Sequence, residues 1–329
     1  LLPLYNGVYL FLIDVLEQIS LFCSNINYFN FIFARPSIYV ILIYYIVIVL
    51  ALKNKKYFII LFLIIIIHYN ICIFKKSLVV TMLDVNQGDW VLISYPHNQG
   101  NILIDTGGKL FDDSNYISNN IIIPYVKSLG IKKIDYLILT HGDYDHMGEA
   151  LNLVKNFKID NVVFNCGDNN NLEKKQIELL ENTNINYDSC INELKINKYK
   201  LQFLKTKVYD NENDNSSVIY LNYNKYKFLF MGDAGIEKEN DILVKYNLKN
   251  IDFLKVGHHG SNTSSSEEFI KSINPKYSLI SVGKNNRYGH PKWEFLDTLK
   301  GSKIYRTDIN GSIEIKLNKK GYKIKTCIS

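Results

Sequence analysis

One short turn constrains the fold of this chain more than any other feature. Residues 140–146 read Thr-His-Gly-Asp-Tyr-Asp-His and follow the largely apolar run Ile134–Leu139, which has the composition of a buried β-strand. Four potential metal ligands therefore stand at a strand end: His141, Asp143, Asp145 and His146. Burying so many ionisable groups is costly unless a cation compensates them. The turn predicts a metal site at the edge of a sheet, with Asp145 also capping a helix over 146–156.

A second interpretation of this turn needs no metal. Asp145 would then serve only as the helix cap, and His141 only as a hydrogen-bonded turn residue. That interpretation leaves Asp143 and His146 unexplained, so the metal site is favoured.

Length and composition set broad limits. The 329 residues, 47% of them hydrophobic, suffice for one large domain or two moderate ones. A net charge of +6 permits an anionic partner such as nucleic acid or a lipid surface but indicates neither. The five cysteines have no C-x-x-C spacing, which argues against a disulfide framework and against a thiolate zinc site. The start of the chain lacks the features of a signal peptide, and we expect it to continue a longer sequence.

Two apolar runs near the N-terminus predict a membrane hairpin. They cover residues 37–52 and 57–74 and are separated by four residues, three of them lysine. Each approaches the length of a bilayer core. A buried helical hairpin of a soluble protein is the alternative, but soluble cores seldom accommodate helices that are apolar on every face. We therefore expect a membrane region over 1–76, with an amphipathic segment at 1–34 before two transmembrane helices. The flanking positive charges are balanced and do not indicate an orientation.

The pattern changes at Ser77 to short β-branched runs that alternate with amphipathic helices. Residues 77–329 contain about thirteen candidate strands and six candidate helices. Such a mixture predicts one α/β domain with two sheets and helices outside them.

Three further turns place Asp and His after candidate strands. Asp233 follows 228–231, His258 and His259 follow 253–256, and His290 comes after the strand that ends at Val282. Five of the seven histidines lie in these turns or in 140–146. If the four turns meet at one rim of a sandwich, they form a binuclear metal centre.

The turn resembles the H-x-H-x-D-H motif of the metallo-β-lactamase superfamily, with Asp143 in place of the middle histidine. The resemblance implies an αββα sandwich, a non-ligating aspartate at Asp105 and a bridging carboxylate at Asp233. It implies His258 as the last histidine ligand, with His259 as the alternative. The full implied ligand set for two divalent cations is His141, Asp143, Asp145, His146, Asp233 and His258.

The chain departs from this family at one motif. No histidine lies between His146 and Asp233, and the sequence Asn213-Asp214-Asn215-Ser216-Ser217 stands where a third histidine motif is expected. Replacing imidazole by oxygen ligands hardens a site, which shifts the expected cations from Zn²⁺ towards Mn²⁺ or Mg²⁺.

The motifs from Leu83 to Asp89, the 140–146 turn, the Asn-Ser-Ser segment and Tyr288-Gly289-His290-Pro291 resemble, in order and spacing, the C-terminal domain of the ComEC family. The resemblance covers residues 78–317, and the predicted hairpin is similar to the end of that family's membrane region. It implies an integral protein of the cell membrane with an extracytoplasmic hydrolase domain. It also implies single-stranded DNA as the substrate and other competence proteins as partners.

The expected reaction is metal-dependent hydrolysis of DNA phosphodiesters. We assign catalytic roles to Asp145, His290 and Asn215, and substrate-binding roles to Ser216, Lys284 and Arg287. Whether Asp84 and Asp89 are structural or line the rim stays open. The alternatives are a small-molecule hydrolase of the same fold, such as a lactonase or thioesterase, and a non-catalytic metal- or DNA-binding module that gates a channel.

Overall fold

The computed structural model describes residues 2–24, 31–108 and 115–328. The chain forms two compact units. The first contains Leu1–Ile71 and Lys127–Gly130, and the second contains Cys72–Val126 and Ile131–Ser329. The predicted division of the chain into a membrane region, 1–76, and an α/β domain, 77–329, stays a prediction.

Within its described residues, the first unit contains the helices α1 (Leu2–Ser24), α2 (Ile38–Lys53) and α3 (Tyr57–Tyr69). The hydroxyl of Tyr44 lies 3.1 Å from His68 Nδ1 and joins α2 to α3. The segment 25–30, part of the predicted amphipathic stretch, lies outside the described residues.

Among the described residues, no helix is both long enough and apolar enough to cross a membrane. The helix expected over 57–74 ends at Tyr69, where the Asn70 amide turns back to the Ile66 carbonyl, and a short 3₁₀ turn covers Ile71–Phe74. The transmembrane character expected for 37–52 and 57–74 is therefore not supported by the structure.

The second unit contains fifteen strands within its described residues, arranged in two sheets. The first sheet has the order β15-β14-β1-β2-β3-β4-β5-β6. Its strands are β1 (Leu78–Met82), β2 (Val91–Ser94), β3 (Asn101–Ile104), β4 (Tyr136–Ile138), β5 (Asn161–Phe164), β6 (Asn186–Ser189), β14 (Ile313–Asn318) and β15 (Gly321–Thr326). The run β3-β4-β5-β6 is parallel, and the other pairs are antiparallel.

The second sheet has the order β13-β12-β11-β10-β9-β8-β7. Its strands are β7 (Glu193–Ile196), β8 (Tyr199–Phe203), β9 (Ile219–Tyr223), β10 (Tyr226–Phe230), β11 (Phe253–Lys255), β12 (Tyr277–Ile280) and β13 (Lys303–Arg306). The strands from β10 to β13 run parallel. Because side chains alternate across each strand, the apolar residues of both sheets meet between them, among them Ile93, Ile138, Phe228 and Phe253.

Helices lie along the chain between these strands. They are α4 (Ile123–Ser128), α5 (Tyr144–Met147), α6 (Ala150–Asn156), α7 (Asn171–Thr183), α8 (Ile236–Lys245), α9 (Glu267–Ile273), α10 (Trp293–Thr298) and α11 (Thr307–Asn310). Helices α8, α9 and α10 bury Ile242, Phe269 and Phe295 against the outer face of the second sheet. The predicted architecture of two mixed sheets with helices is confirmed.

Two local predictions need correction. The helix expected over 146–156 is interrupted after Met147, because Glu149 N donates to Gly107 O instead of to a helix carbonyl. Asp145 lies inside α5 and does not cap it; Asp143 holds the N-cap position.

The cysteine spacing argued against a disulfide framework, yet Cys166 and Cys190 form one disulfide. Cys166 comes two residues after the end of β5 and Cys190 comes directly after β6, and the parallel register of these strands places Phe164 opposite Ser189. The two strand ends therefore hold these cysteines side by side.

Candidate metal centre

The ligand-rich turn begins where β4 ends, and a buried aspartate organises it. Asp105 Oδ1 accepts from Thr140 N at 2.8 Å, and Oδ2 accepts from Thr140 Oγ1 at 2.7 Å. The same Oδ2 accepts from His146 Nδ1 at 2.8 Å. Since a carboxylate only accepts, the His146 proton sits on Nδ1 and the Nε2 lone pair faces away from Asp105. That Nε2 lies 3.1 Å from Asp233 Oδ1.

The second sheet supplies the opposite side of the cluster. Asp233 follows β10, and His258 and His259 follow β11. His259 Nε2 lies 3.3 Å from Asp145 Oδ2 and 3.7 Å from Asp233 Oδ2, while its Nδ1 donates to Ser281 O at 2.9 Å. His258 lies further out: its Nε2 is 3.9 Å from Asp233 Oδ2, its Nδ1 bonds Thr263 Oγ1, and its side chain is 27% exposed. The geometry therefore favours His259 over His258 as the ligand.

Several polar atoms of this cluster are buried without a hydrogen-bond partner. They are His141 Nε2, His146 Nε2, His259 Nε2 and Asp233 Oδ1. Ligand atoms of His141, His146 and Asp233 lie within 4.8 Å of one another, as do those of Asp145, His146 and His259. Unpaired buried donors and acceptors are costly in proteins. Imidazole and carboxylate groups that converge in this way fit a divalent cation.

The charges in the cluster also favour a bound cation. Burial lowers the pKa of His146, but Asp233, Asp105 and Asp89 outweigh burial and hold that pKa well above its usual value. Burial raises the pKa of Asp233, and the surrounding histidines, His146 foremost, reverse this and hold it well below its usual value. Asp233 is thus ionised and attracts positive charge. A bound cation and protons compete for the same imidazole nitrogens.

An ion pair that no sequence motif predicts lies beneath the cluster. Asp89 and Lys255 are both buried, and the Lys255 ammonium donates to Asp89 Oδ2 and, at 3.2 Å, to Gly232 O. The backbone N–H of Asp89 also donates to Asp145 O at 3.0 Å. Gly88 allows this approach, because a Cβ there would lie 2.3 Å from Asp145 O. Asp89 is therefore buried beneath the cluster instead of lining an open rim, and its Oδ1 has no hydrogen-bond partner. The sequence signal for this pair is a lysine that ends an apolar strand, where a charged side chain is seldom buried without a partner.

Two residues predicted to act on the substrate make hydrogen bonds within the protein instead. Asn215 Oδ1 accepts from Tyr209 N at 2.9 Å, and its Nδ2 donates to Tyr209 O at 2.8 Å. Both ends of this amide are thus used to hold a loop, so the structure does not present Asn215 to a substrate. Ser216 is fully buried; its Oγ accepts from Asp233 N and lies 3.2 Å from His141 Nδ1. Ser216 therefore positions two members of the cluster and is inaccessible to phosphate.

Asp84 and His290 lie at the edges of the site. Asp84 Oδ1 accepts from Asn86 N and organises the loop before β2, which is a structural role. The ring of His290 lies 6.0 Å from that of His258. Burial, together with the neighbouring His258, lowers the pKa of His290 to about 4, so its ring is neutral at pH 7.

The cluster opens into a cavity of about 790 Å³. Asp143 and Asp145 line one part of it, and Lys284 and Arg287 line another. Asp143 is about half exposed, with its Oδ2 3.6 Å from His141 Nε2. The cavity thus brings the outer ligand carboxylates and two of the predicted substrate-binding residues to a common space.

A sequence profile of the metallo-β-lactamase superfamily matches residues 83–169 and 191–284. Those two segments make up more than half of the chain and contain the turn, Asp233 and both histidines after β11. The chain belongs to the metallo-β-lactamase superfamily. Membership supports a hydrolase that depends on divalent metal ions.

Within that superfamily the chain is similar to competence proteins. It is 33% identical to ComE operon protein 3 of Bacillus subtilis over 71% of this chain and 32% of that protein. It is 27% identical to competence protein ComA of Neisseria gonorrhoeae, over 76% of this chain and 34% of that one. The chain is 29% identical to recombination protein 2 of Haemophilus influenzae, over 75% of this chain and 30% of that protein. The predicted resemblance to the ComEC family is confirmed. The chain spans about a third of the length of these relatives.

Among solved structures, the metallo-β-lactamase fold protein YhfI from Bacillus subtilis superposes with a TM-score of 0.48 at 13% identity. That alignment covers 72% of this chain and 99% of YhfI. A similarity of this size supports no inference about function.

Proposed function

We propose that this protein is a metal-dependent phosphodiesterase that cleaves DNA during competence-related uptake. The observation that carries the proposal is the His/Asp cluster opening into a cavity that also exposes Lys284 and Arg287. Carboxylates that hold cations, faced by basic side chains that hold phosphates, suit an anionic phosphodiester. The names of the competence relatives support DNA as the substrate.

The proposed ligands are six side chains from both sheets. His141, His146 and Asp233 form one group, and Asp145, His146 and His259 form the second; Asp143 lies beside His141. The chemistry that divalent cations supply when bound at such a site is acidification of water and neutralisation of charge on the phosphoryl group. The mixture of carboxylates and imidazoles suits Mn²⁺ or Zn²⁺, with Mg²⁺ as a further candidate.

The other polar residues of the site bind and orient. Asp105 fixes the ring of His146 through Nδ1, and Ser216 lies beside Nδ1 of His141. Lys284 and Arg287 hold the DNA backbone by charge. His290 is neutral at pH 7 because of its lowered pKa, so we assign it a role in positioning the substrate ahead of a role as general acid.

We further propose that the protein acts at the cell membrane. The second unit, which contains the candidate metal centre and is called the hydrolase unit below, would lie on the extracytoplasmic side. Helices α2 and α3 expose large apolar side chains, including Leu42, Ile46 and Leu63, and large exposed apolar surfaces mark membrane or protein contacts. The Cys166–Cys190 disulfide suits an oxidising compartment. Protease added to intact cells should digest the hydrolase unit; full protection until lysis would contradict this location.

The activity is tested with the full chain, Mn²⁺ and single-stranded DNA. We expect cleavage, and we expect Asp143→Ala to lower the rate by about 100-fold or more because the site loses a carboxylate that offsets cation charge. Asp188→Ala is the matched control, since Asp188 is an exposed aspartate on β6. Equal rates in wild type and Asp143→Ala would refute the assignment of the centre. Hydrolysis of esters but not of DNA would favour the small-molecule hydrolase.

A further inference from the structure

We propose that Tyr288 and Tyr144 form a base-stacking subsite beside the metal centre, through which the cavity selects unpaired nucleotides over duplex. This inference rests on the proposed function and names the residues that give it strand selectivity. Both side chains line the cavity of about 790 Å³ that contains Asp143 and Asp145.

A row of rings leads from the metal centre to this subsite. His258 lies next to Asp233, and its ring centroid is 6.0 Å from that of His290. The His290 ring is in turn 5.8 Å from Tyr288 and nearly parallel to it, at 12°. A planar base that continues the row lies beyond His290 as seen from the centre, so it belongs to a nucleotide that neighbours the phosphate held at the cluster.

Exposure sets these tyrosines apart from the rest of the unit. Tyr288 is 45% exposed and Tyr144 is 44% exposed, although rings of this size usually bury most of their surface. In the described residues from 77 onward, five aromatic side chains are exposed: Tyr116, Tyr144, Tyr187, Tyr288 and Trp293. Three of the five line this one cavity. Tyr144 also stands between two proposed ligands in the chain, so a base stacked on it is adjacent to the centre.

The loop that carries Tyr288 is held in place before any ligand binds. The guanidinium of Arg287 lies 4.8 Å from the Tyr288 ring centroid and donates to its hydroxyl at 2.6 Å. Asn286 accepts from His290 N and donates to His290 O, which closes the loop. A rigid aromatic side chain loses little entropy on binding, and an adjacent arginine adds both stacking and charge.

Stacking on a side chain requires a base with a free face. In a duplex each base is covered by its neighbours, and a base must leave the stack before a protein ring can cover it. Aromatic stacking with a basic groove is the mode by which proteins bind single strands without reading sequence. Lys284 and Arg287 supply the basic part of that combination here.

The test compares binding of two single-stranded oligomers of equal length by the full chain in EDTA, so that nothing is cleaved. One is oligothymidine, and the other is the same backbone built from abasic sites. We expect wild type to bind oligothymidine about 5- to 150-fold more tightly, the range that stacking of one base gives. Tyr288→Ala should remove most of this difference, and Tyr288→Phe should keep it. Lys284→Ala should weaken both oligomers by the same factor.

Tyr144→Ala is measured in the same way, so the inference remains testable if Tyr288→Ala does not fold. Equal affinity of wild type for the two oligomers, or an unchanged difference in both alanine variants, would overturn the subsite. Failure of the proposed function looks different: base-dependent binding would persist, while Mn²⁺ gave no cleavage of any DNA. That outcome would leave the stacking subsite standing and remove the nuclease.

Discussion

Replacing Asp105 by Asn tests how the metal centre is organised without touching a proposed ligand. Asp105 is fully buried and accepts three hydrogen bonds, from Thr140 N, Thr140 Oγ1 and His146 Nδ1. Asparagine has the same shape but only one acceptor oxygen, and its NH₂ group faces the proton on Nδ1. The His146 ring then places its proton on Nε2, which faces Asp233 and the cluster.

The contacts give the size of the effect. Two hydrogen bonds to a charged group are lost, at about 1.5–3 kcal/mol each, and the flipped tautomer recovers about 1 kcal/mol. The free energy of unfolding should therefore fall by about 2–5 kcal/mol. Mn²⁺ affinity should fall by about 10- to 100-fold, as is usual when the partner of a ligating histidine is removed.

Isothermal titration with Mn²⁺ and urea unfolding measure the two effects separately. Asp135→Asn is the matched control, because Asp135 accepts from Asn101 N at 2.8 Å and pairs with Lys133 instead of with a proposed ligand. This control should lose about 1–3 kcal/mol of stability with little change in Mn²⁺ affinity. If Asp105→Asn bound Mn²⁺ as tightly as wild type, the tautomer argument would be refuted.

Three further predictions concern the ligands, pH and the disulfide. His259→Ala should weaken Mn²⁺ binding more than His258→Ala in isothermal titration, and the opposite order would restore His258 as the ligand. Burial raises the pKa of Glu239 from 4.5 to about 7, so its contribution to stability is present below pH 4.5 and is lost as the pH rises through 7. Urea unfolding at pH 5 and pH 8 should show a loss of up to about 3 kcal/mol in wild type that Glu239→Gln does not show. Reducing Cys166–Cys190, which are 24 residues apart, should lower stability by about 3 kcal/mol, and an unchanged urea midpoint would contradict this.

The strand-end motifs were predictable because they are local. An apolar run followed directly by Asp or His marks the point where a buried strand reaches the rim, and this pattern identified the 140–146 turn and Asp233. The choice between His258 and His259 is not local in this sense. Both residues have positive φ, at 46° and 51°, and the turn that they share, not the residue type, decides which ring faces the cluster.

Other features depend on contacts between distant residues. Asp89 lies in the loop before β2 of the first sheet and Lys255 ends β11 of the second, so nothing near either residue reveals the pair. The disulfide was not predicted because β6 was not predicted. All four residues of β6 are exposed, and they do not alternate between apolar and polar, so the hydrophobic pattern does not indicate a strand there. Without β6 there was no reason to place Cys190 beside Cys166.

The pairing of β1 with β14 has a consequence for how this protein is made. Leu78 lies opposite Leu317. The first strand of the hydrolase unit, β1, therefore cannot complete its pairing until β14 has been synthesised. His259 likewise reaches the cluster from 113 positions beyond His146. Folds dominated by such distant pairings fold slowly, because the entropy of closing long loops comes before the contacts that repay it. A growing chain therefore carries the 140–146 turn long before it carries Asp233 and His259, and the candidate metal centre is complete only after both have been made.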